Sequence, residues 1–206
     1  MPRGVSVQDV PGFDRGWFSV QDVSTAHAVE LLDVQPGMNV LDMCAAPGGK
    51  TIQLADALGG AGHLVALDND PSRIATLHHS LQRMGLGDLP VLHADATAKN
   101  STTEILRNQH VLPVDRILID APCTNTGVLR RRPEARWRFS EDNLVHQTRL
   151  QRALLNSAIE WLGTEGILVY STCSLEPEEN QALISDWLQE RNDVSIEEER
   201  WSFPPT

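Results

Sequence analysis

The sequence predicts an α/β fold in which a mostly parallel, twisted sheet is covered by helices on both faces. Apolar runs of strand length alternate along the chain with segments of helical pattern, an order typical of a parallel sheet. The apolar runs are nearly continuous, which indicates strands that are buried on both faces. Four of them end in an aspartate: Asp42, Asp68, Asp95 and Asp120. Since ligands of such sheets bind beyond the carboxyl ends of the strands, these acids predict a site at that edge.

Residues 1–38 are predicted to form a lead-in segment followed by the first helix. Residues 1–24 are rich in Gly, Pro and Asp, a composition that indicates a loop. Ser24 is a candidate N-cap for a helix over about Thr25–Leu32, and Pro36-Gly37 is expected to end that helix.

Residues 39–206 are predicted to form the α/β domain itself. Its strands are expected at five apolar runs, namely Asn39–Met43, His63–Leu67, Val91–His93, Arg116–Asp120 and Ile167–Ser171. Helices are expected to begin at capping, proline or small residues, namely near Thr51, at Pro71, at Ser140 and at Pro177. From Asp95 to about Pro113 the chain is predicted only as a polar region.

Composition narrows the possible classes of protein. A chain of 206 residues suffices for one domain with a sizeable core. No window of about 18 apolar residues and no signal-peptide core is present, so no membrane association is expected. Three widely spaced cysteines do not form a disulfide framework and favour a reducing, cytoplasmic location. The net charge of −11 argues against indiscriminate nucleic-acid binding. Separately, we expect the protein to be a monomer and to bind no metal.

The segment Val40–Thr51 has the strand, small-residue turn and helix that are typical of cofactor sites in α/β sheets. Its glycines let the backbone approach a ligand closely, and the following helix presents free N–H groups. Gly49-Lys50-Thr51 resembles the end of a phosphate-binding P-loop, but Cys44 stands where that motif requires glycine. The Gly-x-Gly-x-x-Gly dinucleotide motif is absent as well. Both phosphate-binding motifs are therefore incomplete, and a P-loop-like nucleotidase is only the alternative interpretation.

An acid at the end of the second strand indicates which cofactor this turn accepts. Asp68 follows the glycine turn by about twenty residues, the position from which a carboxylate binds ribose hydroxyls. Without a pyrophosphate loop, an adenosyl cofactor that lacks phosphates is favoured. We therefore predict S-adenosyl-L-methionine, with Asp95 on the adenine side.

Two cysteines follow neighbouring strands. Asp120-Ala121-Pro122-Cys123 ends the fourth strand and Ser171-Thr172-Cys173-Ser174 ends the fifth, so both thiols are expected on one rim of the sheet. A single buried cysteine is usually a core residue, but two of them beside Asp120 favour catalysis. A helix that begins at Pro177 would lower the pKa of a thiol at its N-terminus, whereas the nearby acids would raise it. The sequence leaves the thiolate fraction open.

The segment from Leu129 to Arg138 is basic within an acidic chain. Its five arginines and one tryptophan follow directly on the Cys123 loop, where a polyanionic substrate needs phosphate contacts and base stacking. RNA contact is predicted at Arg130, Arg131, Arg132, Arg136 and Trp137.

Taken together, these residues resemble the RNA 5-methylcytosine methyltransferase family, and within it the bacterial Sun (Fmu) type, which acts on 16S ribosomal RNA. The resemblance covers about residues 10–190. The segments that carry it are Asp42–Thr51, Asp120–Cys123 with Thr126-Gly127, Thr172–Ser174 followed by Glu178-Glu179-Asn180, Pro11-Gly12-Phe13, and Ser19-Val20-Gln21-Asp22.

The resemblance implies a class I, Rossmann-like methyltransferase fold that uses S-adenosyl-L-methionine. Cys173 would attack carbon 6 of cytosine, since carbon 5 is too poor a nucleophile to take a methyl group unaided. Asp120 would bind the base near ring nitrogen 3, Cys123 would assist release of the adduct, and Lys50 would support the site. The cofactor site would be lined by Cys44, Ala45, Ala46, Pro47, Gly48, Gly49, Lys50, Asp68, Asp95 and Asp120.

Some features depart from the family, and some alternatives stay open. Relative to members of this type, the chain is expected to lack an N-terminal RNA-binding domain and a C-terminal hairpin. A non-catalytic RNA-binding module on the same fold is a further alternative, although binding alone needs neither Cys123 nor Cys173. Asp120–Cys123 is not the Asn/Asp-Pro-Pro-aromatic loop of adenine-N6 enzymes. DNA as substrate is left open, although DNA cytosine-5 enzymes take their nucleophile from the Pro-Cys loop.

Overall fold

The computed structural model of this chain describes residues 6–202. Its strands are β1 Asn39–Asp42, β2 His63–Asp68, β3 Val91–His93, β4 Val114–Asp120 and β5 Leu162–Ser171. Its helices are α1 Val23–Leu32, α2 Gly49–Leu58, α3 Pro71–Arg83, α4 Lys99–Asn108, α5 Ala135–Arg138, α6 Glu141–Trp161 and α7 Gln181–Gln189. Short 3₁₀ turns lie at Val7–Asp9, Thr126–Val128 and Pro177–Glu179.

The five strands form one wholly parallel sheet in the order β3-β2-β1-β4-β5. The chain moves outward from β1 through β2 to β3 and then crosses over to form β4 and β5 on the other side of β1. The strand order therefore reverses between β1 and β4, where the Met43 N–H donates to the Leu118 carbonyl at 2.9 Å. Ligands of open α/β sheets bind at such a reversal. The predicted parallel sheet is confirmed.

Both faces of the sheet are buried, which explains why the strands are apolar at consecutive positions. Leu41 and Ile117 belong to one apolar cluster and are fully buried. Their chain neighbours Val40 and Leu118 belong to the cluster on the other face and are equally buried. Because successive side chains of a strand point to opposite faces, a strand covered on both sides needs no polar alternation.

The helices divide between the two faces. Helices α4, α6 and α7 cover the face of Leu41, with Leu106, Leu155 and Trp187 among their buried contacts. Helices α1 and α2 cover the opposite face through Leu32 and Leu54. Helix α3 packs Leu77 and Leu81 against the loop that follows β1 and against β2. No helix in the described range combines the length and apolar character that a bilayer-spanning segment needs.

The polar region between Asp95 and Pro113 contains a helix that the sequence does not predict. Helix α4 buries only Thr102 and Leu106, so its apolar pattern is too sparse to show the helical period. The Thr102 hydroxyl donates to the Asp95 carbonyl at 2.7 Å and fixes the first turn. A helix with so little apolar surface depends on tertiary contacts that the sequence does not display.

Several boundaries differ from prediction by one or two residues, and three further differences concern a helix cap, the start of β5 and the segment at Pro177. The N-cap of α1 is Asp22 and not Ser24, because the Asp22 carboxylate accepts the Ser24 N–H at 2.8 Å. Strand β5 begins at Leu162, five residues before the predicted Ile167, and its pairing with β4 is irregular near Val114. The segment at Pro177 is a 3₁₀ turn, and the helix that follows starts at Gln181.

Candidate active site

The turn after β1 is held against the end of β2. The Ala45 N–H donates to the Leu67 carbonyl at 3.0 Å, and the Ala46 N–H donates to the Asp68 carboxylate at 3.1 Å. Gly48 has φ of +104°, and a Cβ there would stand 2.7 Å from a Leu77 methyl group. Glycine is thus required at position 48 both for its backbone conformation and for the close approach of α3.

Asp68 stabilises this turn from β2. The carboxylate is 2% exposed, and its two oxygens accept the N–H groups of Ala46 and Asp70, each at 3.1 Å. Arg73 lies 3.4 Å from it and also donates to the Ala46 carbonyl at 2.5 Å. The sequence does not indicate Arg73 as a site residue, since only the fold brings α3 to the turn.

A side chain from the lead-in segment holds the start of α2. The Gln21 amide donates to the Gly49 carbonyl at 2.8 Å, and its oxygen accepts a hydrogen bond from the Gln53 amide at 2.6 Å. A Cβ on Gly49 would stand 3.1 Å from the Gln21 side chain. This contact gives the segment Ser19–Asp22 a structural role beside the cofactor turn.

Asp42 is buried in the crevice where the strand order reverses. Thr51 donates to one carboxylate oxygen at 2.7 Å, while Oδ1 has no hydrogen-bond partner within the described chain. Burial raises the pKa of Asp42 to about 7. Burial together with the charge of Asp42 also raises the pKa of Cys44 above its ordinary value, so Cys44 stays a thiol. Its raised pKa makes Cys44 a poor nucleophile.

Lys50 connects the cofactor turn with the end of β4. Its ammonium lies 2.6 Å from an Asp120 carboxylate oxygen, and the lysine side chain is only 13% exposed. Ser171, at the end of β5, donates to the other Asp120 oxygen at 3.0 Å. Asp120 is thereby held at the rim between the cofactor turn and the cysteines.

Cys123 and Cys173 lie in contact, with their sulfurs 3.2 Å apart, and neither forms a disulfide. Cys123 is buried and Cys173 is exposed. The hydrogen bond from the Cys123 thiol lowers the pKa of Cys173 and raises the pKa of Cys123. Partial burial and the charge of Asp120 oppose this lowering of the pKa of Cys173, and the charges of Arg132 and Lys50 add to it. The exposed sulfur is therefore favoured as the thiolate, and its partner retains the proton.

The loops that carry the two cysteines are bonded to each other. The Gly127 N–H donates to the Cys173 carbonyl at 3.0 Å, and the Leu175 N–H donates to the Thr126 hydroxyl at 2.9 Å. Asn125 adopts φ of +62°, and its amide donates to the Cys123 carbonyl at 2.7 Å. Its oxygen accepts from Cys173 at 3.0 Å while Cys173 is protonated, and formation of the thiolate breaks this bond.

The arginine segment is only partly directed at this site. Arg131 forms an ion pair with Asp22 of the lead-in segment, whereas Arg130, Arg136 and Trp137 face solvent. A polar cavity of about 500 Å³ opens beside the cysteines and is lined by Cys123, Thr124, Asn125, Arg132, Glu134, Ala135, Arg138, Asn143 and Gln147. Arg132 and Arg138 thus supply positive charge next to the reactive sulfurs.

Asp95 lies at the exposed end of β3. Its carboxylate accepts the N–H and the hydroxyl of Thr97 at 2.8 and 2.7 Å. Among residues 6–202, no group of three or more His, Cys, Asp or Glu side chains is arranged to hold a metal ion.

Comparison with known proteins places this site in a family. A sequence profile described as 16S rRNA methyltransferase RsmB/F matches residues 29–204. The chain is 39% identical over 195 residues to the ribosomal RNA small subunit methyltransferase B of Yersinia enterocolitica. That match covers 94% of this chain and 43% of the relative.

The chain belongs to the RsmB/F methyltransferase family. The crystal structure of NSun6 from Pyrococcus horikoshii with SFG, an S-adenosylmethionine analogue, matches 90% of this chain and 46% of that one, with a TM-score of 0.79 and 30% identity. A methyltransferase homolog protein from Pyrococcus horikoshii matches 91% of this chain and 56% of its own, with a TM-score of 0.74 and 35% identity. The chain spans about 43% of the length of the curated relative from Yersinia enterocolitica.

RsmB/F membership confirms the predicted Rossmann-like methyltransferase fold and S-adenosyl-L-methionine as the cofactor. The crevice fits this cofactor chemically. Asp42, Asp68 and Asp120 offer carboxylate acceptors for the ammonium and ribose hydroxyls of S-adenosylmethionine, while Arg73 and Lys50 pair with the last two of them. The unpartnered Oδ1 of Asp42 offers a buried acceptor in the same crevice. These features count against the nucleotidase alternative.

Proposed function

We propose that this chain is the catalytic part of an enzyme that methylates carbon 5 of cytosine in RNA, with 16S ribosomal RNA as the substrate, through a covalent Cys173–cytosine adduct. The observation that carries this proposal is the 3.2 Å contact between an exposed sulfur of lowered pKa and a buried thiol of raised pKa. Binding RNA, or hydrolysing a nucleotide, requires no such pair. Addition to a pyrimidine ring followed by elimination requires a nucleophile and a base, and the two sulfurs can supply both.

In the first step of the proposed mechanism, the thiolate of Cys173 attacks carbon 6 of cytosine. Asp120, as a carboxylate, accepts a hydrogen bond from the cytosine amino group next to ring nitrogen 3, and the Lys50 ammonium meets the negative charge that develops on the ring during the attack. Lys50 holds Asp120 at 2.6 Å and supplies positive charge to the same region. S-adenosyl-L-methionine, held by the turn after β1, would supply the methyl group that carbon 5 takes up.

In the second step of the proposed mechanism, Cys123 removes the proton from carbon 5. Once Cys173 is a thioether, it no longer carries the negative charge that holds the proton on Cys123. The pKa of Cys123 then falls from its raised value, and its thiolate becomes available as a base. Loss of the carbon 5 proton restores the ring double bond, and the Cys173 sulfur leaves as a thiolate.

RNA contact is assigned to the cavity beside Cys123 and to the arginines around it. Arg132 and Arg138 line the cavity, and Arg130 and Arg136 are exposed on the same segment. Trp137 is 85% exposed and is available for base stacking. The chain as a whole is acidic, so these local charges are what an RNA backbone would meet.

The direct test combines two cysteine variants with RNA and S-adenosylmethionine. We expect Cys173→Ala to abolish methyl transfer and to form no adduct. We expect Cys123→Ala to accumulate RNA bound covalently to the protein, visible on a denaturing gel, and Cys123→Ala/Cys173→Ala to lose that band. Full turnover by Cys173→Ala would exclude the mechanism.

The substrate is tested separately in cells. Mass spectrometry of ribosomal RNA nucleosides and fragments from cells lacking the full-length gene is expected to show loss of one 5-methylcytosine from 16S ribosomal RNA. Complementation with the wild-type gene should restore it, and complementation with the Cys173→Ala gene should not. Loss of methylation from another RNA, or from DNA, would reassign the substrate while leaving the chemistry in place.

A further inference from the structure

Glu179 is a fully buried carboxylate close to the two cysteine loops. It ends the 3₁₀ turn Pro177–Glu179, six residues after Cys173, and its side chain is 0% exposed. Within residues 6–202 it forms no ion pair. Burying a carboxylate without a cation is costly unless hydrogen-bond donors replace the lost water.

Donors from two other elements surround this carboxylate. The Thr124 N–H donates to Oε1 at 2.9 Å, and the Thr124 hydroxyl donates to Oε2. The Gln151 amide, on α6, donates to Oε1 at 2.9 Å. The same amide donates to the Pro122 carbonyl at 2.8 Å. The bonds of Glu179 and Gln151 therefore fix the residues on both sides of Cys123.

The Glu179 turn is itself anchored to the end of β5. The Tyr170 hydroxyl donates to the Glu179 carbonyl at 2.8 Å. Thr124 also contacts Ser174, next to Cys173, with 3.2 Å between the two hydroxyl oxygens. The carboxylate thus joins the Cys123 loop to the segment that carries Cys173, and neither cysteine contacts it directly.

We infer that Glu179 is a positioning residue that holds the Cys123 loop against the Cys173 loop, so that the Cys123 thiol points at the Cys173 sulfur. The inference rests on the proposed function in one respect, namely that Cys123 and Cys173 take part in catalysis. A carboxylate suits this place because it accepts from every donor around it. A glutamine of the same shape could still accept from the Thr124 N–H and the Gln151 amide through its oxygen. Its NH₂ group, however, would face the Thr124 hydroxyl and remove the hydrogen bond that this hydroxyl donates, so the Cys123 loop would be held less firmly.

The test measures the thiolate character of Cys173 without using RNA. Iodoacetamide alkylation of Cys173, followed by peptide mass spectrometry across pH 6–9, reports its apparent pKa. For Glu179→Gln we expect a higher apparent pKa and an alkylation rate at pH 7 that falls by about tenfold for each unit of increase. Binding of S-adenosylmethionine, measured by calorimetry, should be unchanged. The matched control is Glu178→Gln, an exposed glutamate in the same turn, which should behave as wild type.

Two further variants make the result decisive. Thr124→Val removes only the hydroxyl donor and should shift the Cys173 pKa in the same direction by less, which keeps the inference testable if Glu179→Gln does not fold. In a Cys123→Ala background, Glu179→Gln should have no further effect on Cys173 alkylation, because its effect passes through Cys123.

An unchanged Cys173 pKa in folded Glu179→Gln and in Thr124→Val would overturn the inference, as would an additive effect in the Cys123→Ala background. These readouts need no methyl transfer. A shifted pKa together with no methylation of any RNA by the full-length wild-type protein would refute the proposed function and leave the positioning role intact.

Discussion

In the mechanism that we propose, the two cysteines differ in role because one sulfur is exposed and the other is buried. Their 3.2 Å contact lowers the pKa of Cys173 and raises the pKa of Cys123, so Cys173 is the first of the two to lose its proton. Removing Cys123 removes the donor that stabilises the Cys173 thiolate, so Cys123→Ala should raise the pKa of Cys173. We expect slower alkylation of Cys173 by iodoacetamide at pH 7, measured by peptide mass spectrometry.

Cys123→Ser is the matched variant for this prediction, since a hydroxyl can still donate to the Cys173 sulfur. Its alkylation rate should lie between those of wild type and Cys123→Ala. Identical rate-against-pH curves for wild type and Cys123→Ala would show that the contact does not tune Cys173.

Asp42 should make the protein less stable as the pH rises towards neutrality. Its pKa is about 7 when folded against 3.8 for an exposed aspartate, so the folded state binds more protons between these values. Stability then falls as the pH rises through this window, by at most about 4 kcal/mol for this one group. Asp42→Asn removes this contribution. The free energy of unfolding of the variant, relative to wild type, should therefore increase from pH 4.5 to pH 7.5 in urea titrations.

This comparison between two proteins cancels the other titrating groups, which both share. A difference in unfolding free energy that stays constant with pH would mean that Asp42 titrates normally. The Asp42→Asn substitution would also make the crevice less acidic, so we expect weaker binding of S-adenosylmethionine by calorimetry.

At the residue scale, the sequence predicts the candidate site residues that directly follow strands, but it does not predict contacts between residues far apart in the chain. Cys123, Cys173 and Asp120 follow directly on strands β4 and β5, so knowing the order of a parallel sheet places them together. Glu179 and Thr124 are 55 positions apart, and nothing in the local sequence indicates that they bond. The sequence leaves the direction of the Cys173 pKa open for the same reason, since its main cause is a thiol 50 positions away.

At the element scale, prediction succeeds where burial is strong. The five strands bury apolar side chains on both faces and are predicted within a few residues, whereas α4 buries only Thr102 and Leu106 and is not predicted. The early start of β5 is hidden because Leu162 follows the helical pattern of α6 without a break. The sequence assigns the arginine segment to one RNA surface, yet the fold pairs Arg131 with Asp22 and turns Arg132 towards the cysteines.

The contact between the loops after β4 and β5 can be tested at Gly127. A Cβ there would stand 2.9 Å from the Cys173 carbonyl oxygen, so Gly127→Ala should push the two loops apart. We expect a loss of stability of about 1–3 kcal/mol and a larger loss of methyl transfer. The affinity for S-adenosylmethionine should not change. Urea unfolding, a methylation assay and calorimetry measure the three quantities.

Gly87→Ala is the control for this substitution. A Cβ at Gly87 would have only the Gln82 Cα within 4 Å, at 3.9 Å, so the added methyl group meets no obstacle. Methyl transfer by Gly127→Ala at the wild-type rate would show that the spacing of the two loops is not critical.

At the scale of the whole molecule, the net charge has the same sign as the RNA substrate that we propose. A net charge of −11 repels an RNA backbone, while the segment around Arg132 gathers positive charge beside the cysteines. Association should therefore depend on a few arginines and on salt concentration, and it should place the RNA next to the reactive sulfurs. The sequence shows which arginines this segment contains, but only the fold shows which of them lie beside the cysteines.

Arg132→Ala should weaken RNA binding and reduce its dependence on salt. Losing one phosphate contact on a single-stranded site makes the slope of log K against log salt less negative by about 0.7. Arg131→Ala should have a smaller effect, because Arg131 is already paired with Asp22. The control is Arg107→Ala, an exposed arginine on α4 outside the segment. Fluorescence anisotropy with a labelled RNA between about 50 and 200 mM salt measures the slopes. Equal slopes for wild type and Arg132→Ala would place the RNA backbone elsewhere on the protein.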